Sequence, residues 1–108
     1  MGSDKIFLYA EYQVSIPFDE IDWKPINESM KQFEGLVSKT WLSGLNTNTV
    51  GGFYEFTSQE LAQKYIDELL IPFAQTVNGN LSVKLFNGNV VEDASKGMNS
   101  PFFIKTPA

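Results

Sequence analysis

Cysteine, histidine and arginine are all missing from this chain of 108 residues, and each absence removes chemistry. Without cysteine there is no disulfide, no thiolate nucleophile and no Cys-based zinc site. Without histidine there is no His-based catalytic triad and no His-ligated haem. The eight basic residues are all lysine, so bidentate guanidinium recognition of phosphate or carboxylate is excluded. A net charge of −5 and a pI near 4.5 argue against a nucleic-acid partner, because phosphate binding needs clustered positive charge. No apolar run approaches the roughly 18 residues of a membrane helix. No signal-peptide pattern opens the sequence, so a soluble cytoplasmic protein with no membrane partner is expected. Met1-Gly2 is not a myristoylation signal, since Ile6 stands where Ser or Thr is required. A metal would have oxygen ligands only. Asp19, Glu20 and Asp22, and Glu92 with Asp93, lack the glycine and spacing of a calcium loop and read as solvated acidic surface, so no metal is expected.

What is present is apolar and aromatic. Hydrophobic residues make up 43% of the chain and aromatics 14%, with nine Phe, four Tyr and two Trp. That is enough for one packed domain over 1–108 and for an apolar cavity. The organising stretch is 35–73, which reads as strand, polar linker, strand and amphipathic helix.

From the start, Ile6, Leu8, Ala10, Tyr12, Val14 and Ile16 alternate with Phe7, Tyr9, Glu11 and Gln13, the period of a strand ended by Pro17. The run 18–33 reads as a helix capped by Asp19, with Pro25 either in its first turn or at a bend. Ile26, Met30 and Phe33 form its apolar stripe, and Gly35 is a candidate C-cap. Over 36–43, Leu36, Ser38, Thr40 and Leu42 alternate with Val37, Lys39, Trp41 and Ser43. A polar link at Asn46–Thr49 leads to a third strand over 50–56, where Gly51-Gly52 marks a bulge, a close backbone approach or room left for a bulky neighbour. Thr57 and Glu60 fit a capping box before a helix whose inner face is Leu61, Ala62, Tyr65, Ile66, Leu69, Leu70 and Phe73. Pro72 sets its end within a turn. Turn signals Asn78-Gly79 and Asn87-Gly88 bracket a fourth strand through Leu81, Val83 and Leu85. The segment 90–108 lacks periodicity yet carries Met98, Phe102, Phe103 and Ile104, so it is expected to dock on the body or on a partner subunit.

Strand, helix, strand, strand, helix, strand is the split β-α-β order of a ferredoxin-like α+β domain: four antiparallel strands with two helices on one face. The helix-free face would keep several large aromatics. An apolar patch of that size marks an interface, and a homodimer in which two sheets face each other as a barrel is the expected partner arrangement.

GLVSKTWL, VGGFYEFTS with its following helix, and the strand ending LFNGNV resemble the YdhR-type monooxygenase family, within the dimeric α/β-barrel group that includes antibiotic-biosynthesis monooxygenases. The specific features are Lys39-Thr40-Trp41, Gly51-Gly52 with the aromatic strand behind it, and Lys84-Leu85-Phe86. The resemblance implies oxidation of a small aromatic or polycyclic phenol or quinol without cofactor, the substrate giving its own electrons to oxygen. Trp41, Tyr54 and Tyr65 would wall the pocket, and Lys39, Trp41 and Tyr54 are the candidate catalytic residues, with Lys39 stabilising an anion. Haem-degrading relatives are disfavoured for want of an axial histidine. Ordinary strand and helix packing would instead bury Trp41, Tyr54 and Tyr65 in the core and leave Lys39 on the surface or at a dimer rim. A non-catalytic protein that binds a small apolar ligand, and a purely structural dimer, are the alternatives.

Overall fold

A computed structural model of the chain describes residues 5–13, 22–45, 47–76 and 80–103. β1 (Ile6–Gln13) is followed by α1 (Trp23–Lys31), β2 (Leu36–Ser43) and β3 (Thr49–Phe56). α2 (Gln59–Tyr65) runs through a π-helical turn, Ile66–Leu70, into α3 (Ile71–Thr76). β4 (Ser82–Asn87) and a short α4 (Glu92–Gly97) follow. The strands make one antiparallel sheet in the order β2-β3-β1-β4, so the fold is α+β. No helix among the described residues is long and apolar enough to cross a membrane. Val14 to Ile16, expected to prolong β1, lie outside the described residues, as do the Asp19 cap, Asn46 and the Asn78-Gly79 turn.

β1 and β3 pair without interruption from Ile6 opposite Phe56 to Gln13 opposite Thr49. Their alternation puts Ile6, Leu8, Ala10, Tyr54 and Phe56 on the helix side, against Met30, Ala62, Tyr65, Ile66 and Leu70. Leu8, Phe56 and Tyr65 are completely buried, and each such side chain contributes roughly 1.5–3 kcal/mol. Phe33 meets the Tyr65 ring edge-on at 5.1 Å, a favoured aromatic geometry. Pro25 falls in the first turn of α1, where its missing N–H costs nothing.

Two local readings of the sequence change, and a third gains its physical reason. In β2, Leu36 pairs with Phe56 but Ser38 pairs with Glu55, leaving Val37 as the extra residue of a bulge. The bulge resets the alternation, so Leu36 and Trp41 both pack on the core although strict period two sets them on opposite faces. The cap of α2 is Ser58, not Thr57: its Oγ accepts from Leu61 N at 3.1 Å. Pro72 sets the helix end within about a turn, as read from the sequence, and stands inside the last described turn. The π-turn just before it widens the ladder where the ring would clash with the Glu68 carbonyl, and the helix continues to Thr76.

The opposite face of the sheet is covered in part by the chain itself. α4 and the turn after it bring Phe102 and Phe103 onto Phe7, ring centroids 5.6 and 5.8 Å away, with Phe53 stacked on Phe7 at 5.0 Å. Phe7 and Phe103 are buried, whereas Phe86 on the neighbouring strand stays 47% exposed.

Gly51 is where β1 comes closest. A Cβ there would lie 2.1 Å from the Ala10 carbonyl oxygen, a backbone atom that cannot move without opening the ladder. Gly51→Ala should therefore cost about 2 kcal/mol or more, read as a lower urea midpoint at unchanged m-value.

Candidate functional site

On the helix side, at the β2 edge of the sheet, lies a cleft of about 240 Å³ whose walls include Asn27, Met30, Leu36, Val37, Lys39 and Trp41. α1 forms one wall through its inner stripe, and β2 beyond the bulge forms the other. Two larger hollows occur among the described residues. One, of about 490 Å³, lies between α3 and β4 by Ile66, Ala74 and Leu81. The other, of about 360 Å³, lies beneath the tail by Phe7, Phe86 and Phe102. Neither has an ionisable side chain in its wall. Chemistry therefore favours the smaller cleft.

Lys39 organises it. Its Nζ lies 3.2 Å from the centroid of the Trp41 ring, 4.9 Å from that of Tyr54, and 3.4 Å from Met30 Sδ. Trp41 is fixed in turn, since its indole Nε1 donates to Asn27 Oδ1 at 2.9 Å. The ion pairs among the described residues are Lys5–Glu55, Lys31–Glu28 and Lys96–Glu92, and none includes Lys39. A desolvated ammonium without a carboxylate is disfavoured, and burial lowers the Lys39 pKa to about 7. The ring faces offset part of that cost, each by roughly 0.5–2 kcal/mol.

Room for this side chain comes from Gly52. A Cβ at that position would sit 2.6 Å from Lys39 Cε and 3.0 Å from the Tyr54 ring. The two glycines thus do different work: Gly51 admits a backbone, Gly52 a lysine.

Beneath the cleft the aromatics continue inward. Tyr54 is 2% exposed and Tyr65 fully buried, their rings 5.2 Å apart. Burial raises the pKa of both phenols well above the ordinary tyrosine range, and the neighbouring Tyr65 adds to the effect on Tyr54. The Tyr65 hydroxyl is buried, with the Tyr54 phenol beside it as its polar neighbour. Lys39, Trp41, Tyr54 and Tyr65 are therefore contiguous, but only Lys39 and Trp41 line the cleft; the two tyrosines are its floor and part of the core. Lys39 is not the surface residue that an ordinary strand position suggests, because the bulge and Gly52 together turn it inward. Asn27 and Met30 escaped sequence reasoning as site residues. Their signal is the i, i+3 spacing that puts both on the inner side of α1. Among the described residues no three acidic groups gather closely enough to hold a metal ion.

An antiparallel α+β sheet with a lysine-centred aromatic cleft at its edge is the class that fold and site define. A family model described as "putative mono-oxygenase ydhR" matches residues 9–101, and the chain belongs to that family. A comparison with curated proteins finds no match.

Gly52→Ala should leave the strand pairing intact, because the nearest atom is the far end of a flexible side chain and the Tyr54 ring at 3.0 Å need give only a few tenths of an ångström, but should expel Lys39 from the cleft. The readout is a Lys39 amine titrating near the ordinary value of 10.5 instead of about 7. Stability offers a second check. The unfolded chain holds the Lys39 proton up to 10.5 and the folded chain only up to about 7. Between those values the unfolded state binds more protons, so this group makes stability rise with pH. Lys39→Met should raise stability at pH 7 by about 1–3 kcal/mol and flatten that rise, measured by urea unfolding across the window.

Proposed function

We propose that the chain is a monooxygenase acting on a small aromatic phenol or quinol in the Trp41 cleft, with no metal, flavin or haem. The observation that carries this reading is Lys39, an amine held among rings with no carboxylate beside it among the described residues. With its pKa near 7, its neutral form can accept a phenolic proton at ordinary pH, the condition sought in a general base. The phenolate so formed is electron-rich and gives dioxygen four electrons in all, two as a carbon–oxygen bond forms at the peroxide level and two as the O–O bond breaks. One oxygen atom ends in the product as a carbonyl and the other leaves as water with the two hydrogens the substrate loses. Lys39 as ammonium then sits close to the anion, and the apolar walls of Met30, Leu36 and Trp41 keep bulk water from it. A cleft of about 240 Å³ is at the small end for a ligand site, which favours one- or two-ring substrates over larger polycycles.

The strand order β2-β3-β1-β4 is the order expected of a ferredoxin-like subunit. We read the protein as a homodimer that meets through the helix-free face around the tail. Exposed Phe86, Val91 and Leu42 support that reading. A second function, binding a small apolar ligand without turnover, is favoured by one feature: among the described residues Lys39 makes no ion pair with an acidic side chain that could return its proton.

Oxygen consumption with a panel of one- and two-ring phenols and quinols tests the assignment, with three-ring anthrones as the oversized comparison. Uptake should exceed the protein-free rate, rise with pH through about 7, and fall by about 100-fold or more in Lys39→Met. Quenching of Trp fluorescence without oxygen uptake would instead establish the binding protein. Light scattering at micromolar concentration should give twice the monomer mass of 12.1 kDa; a monomer would refute the face-to-face arrangement.

A further inference from the structure

The Lys39 cleft has a chemical capacity beyond proton transfer. Its Nζ is the nitrogen of a primary amine on a residue that lines a cleft of about 240 Å³, beside the Trp41 ring and Met30 Sδ. The other described lysines differ. Lys5, Lys31 and Lys96 are engaged with carboxylates, and Lys24, Lys64 and Lys84 are exposed to water. Only at Lys39, among the described residues, do an amine without a carboxylate, an apolar recess and an anchored aromatic wall coincide.

We propose that Lys39 is an imine-forming site for small aromatic aldehydes and ketones, whose ring lies against Trp41 while the carbonyl carbon meets Nζ. The Nζ lone pair attacks the carbonyl carbon, and the carbonyl π-electrons move to oxygen, which takes up a proton. The resulting carbinolamine loses water as the C=N bond forms and nitrogen gives up its remaining protons. Amine plus carbonyl gives imine plus water, with nothing oxidised or reduced. A desolvated lysine is the usual amine for such chemistry. The lowered Lys39 pKa supports the step, because the unprotonated nitrogen is the nucleophile. The ionisable neighbours are the Tyr54 and Tyr65 phenols beneath it, both protonated at neutral pH, and Lys31 of the same cleft, paired with Glu28.

The inference rests on reading the cleft as an aromatic-binding site, but not on any reaction with oxygen. The test incubates the full chain at pH 7 with benzaldehyde and sodium cyanoborohydride, which traps the imine as a benzylamine, and maps the added mass by peptide. Lys39 should be labelled at least about tenfold faster than any of the other lysines, since each unit of pKa is tenfold in free amine. Benzyl alcohol, which shares the ring but has no carbonyl, should slow that labelling by competition. Gly52→Ala, which retains the amine but moves it out, should reduce Lys39 to the rate of the rest. Equal labelling across the lysines, or sparing of Lys39, would overturn the proposal. Oxygen uptake with phenols but no preferential labelling would sink the imine site and leave the monooxygenase standing. Labelling without oxygen uptake would do the reverse.

Discussion

The unbroken pairing of β1 with β3 is the constraint on which the rest depends. Those two strands occupy the centre of the sheet, and their eight residue pairs fix which side chains face the helices. Once Leu8 stands opposite Tyr54 and Ile6 opposite Phe56, a one-residue slip would send both apolar pairs to the wrong face. The same register sets Gly51 beside the Ala10 carbonyl, while the β2–β3 pairing, with Lys39 opposite Tyr54 and Trp41 opposite Gly52, sets Lys39 over Gly52. Core and cleft therefore share β3 as their common strand.

Lys39 is held against its own solvation. Its ammonium is removed from water, gains ring faces in place of a carboxylate, and is disfavoured enough to titrate near 7. A methionine or leucine would pack there at less cost. A cost of that kind is typical of a functional position rather than a stabilising one. The Tyr65 hydroxyl, buried beside the Tyr54 phenol, lies on the same chain of contacts and is linked to Lys39 through the Tyr54 ring.

Much of this was legible in the residues. Period two in 6–12 named the two faces of β1, the stripe Ile26, Met30 and Phe33 named the inner side of α1, and Ala62, Tyr65, Ile66 and Leu70 named that of the long helix. The grouping of Lys39 with Trp41 was also there in the alternation. What the pattern could not supply was the parity across Val37, because a bulge leaves no compositional mark in a strand as mixed as LVSKTWLS. Nor could propensity distinguish Thr57 from Ser58 as the cap, two adjacent hydroxyl residues with similar preference. Pro72 did mark the helix end to within about a turn; what the sequence did not show is the π-turn at Ile66–Leu70 that lets the proline sit inside the helix.

The two faces of the sheet also explain how the cleft escapes being filled. On the helix side, α1 ends at Lys31 and the chain turns through Gly35, whose φ of 89° only glycine adopts without strain, before entering β2. The Thr57 amide donates to the Gly35 carbonyl at 2.9 Å and holds that turn against the start of α2. α1 is thereby anchored at one end over β3 while β2, an edge strand, carries the bulge that swings Val37 outward to 55% exposure. A short helix fixed at one end cannot cover the whole width of a bulged edge strand. The uncovered remainder lies between Met30 and Trp41, and it is there that Lys39 is placed.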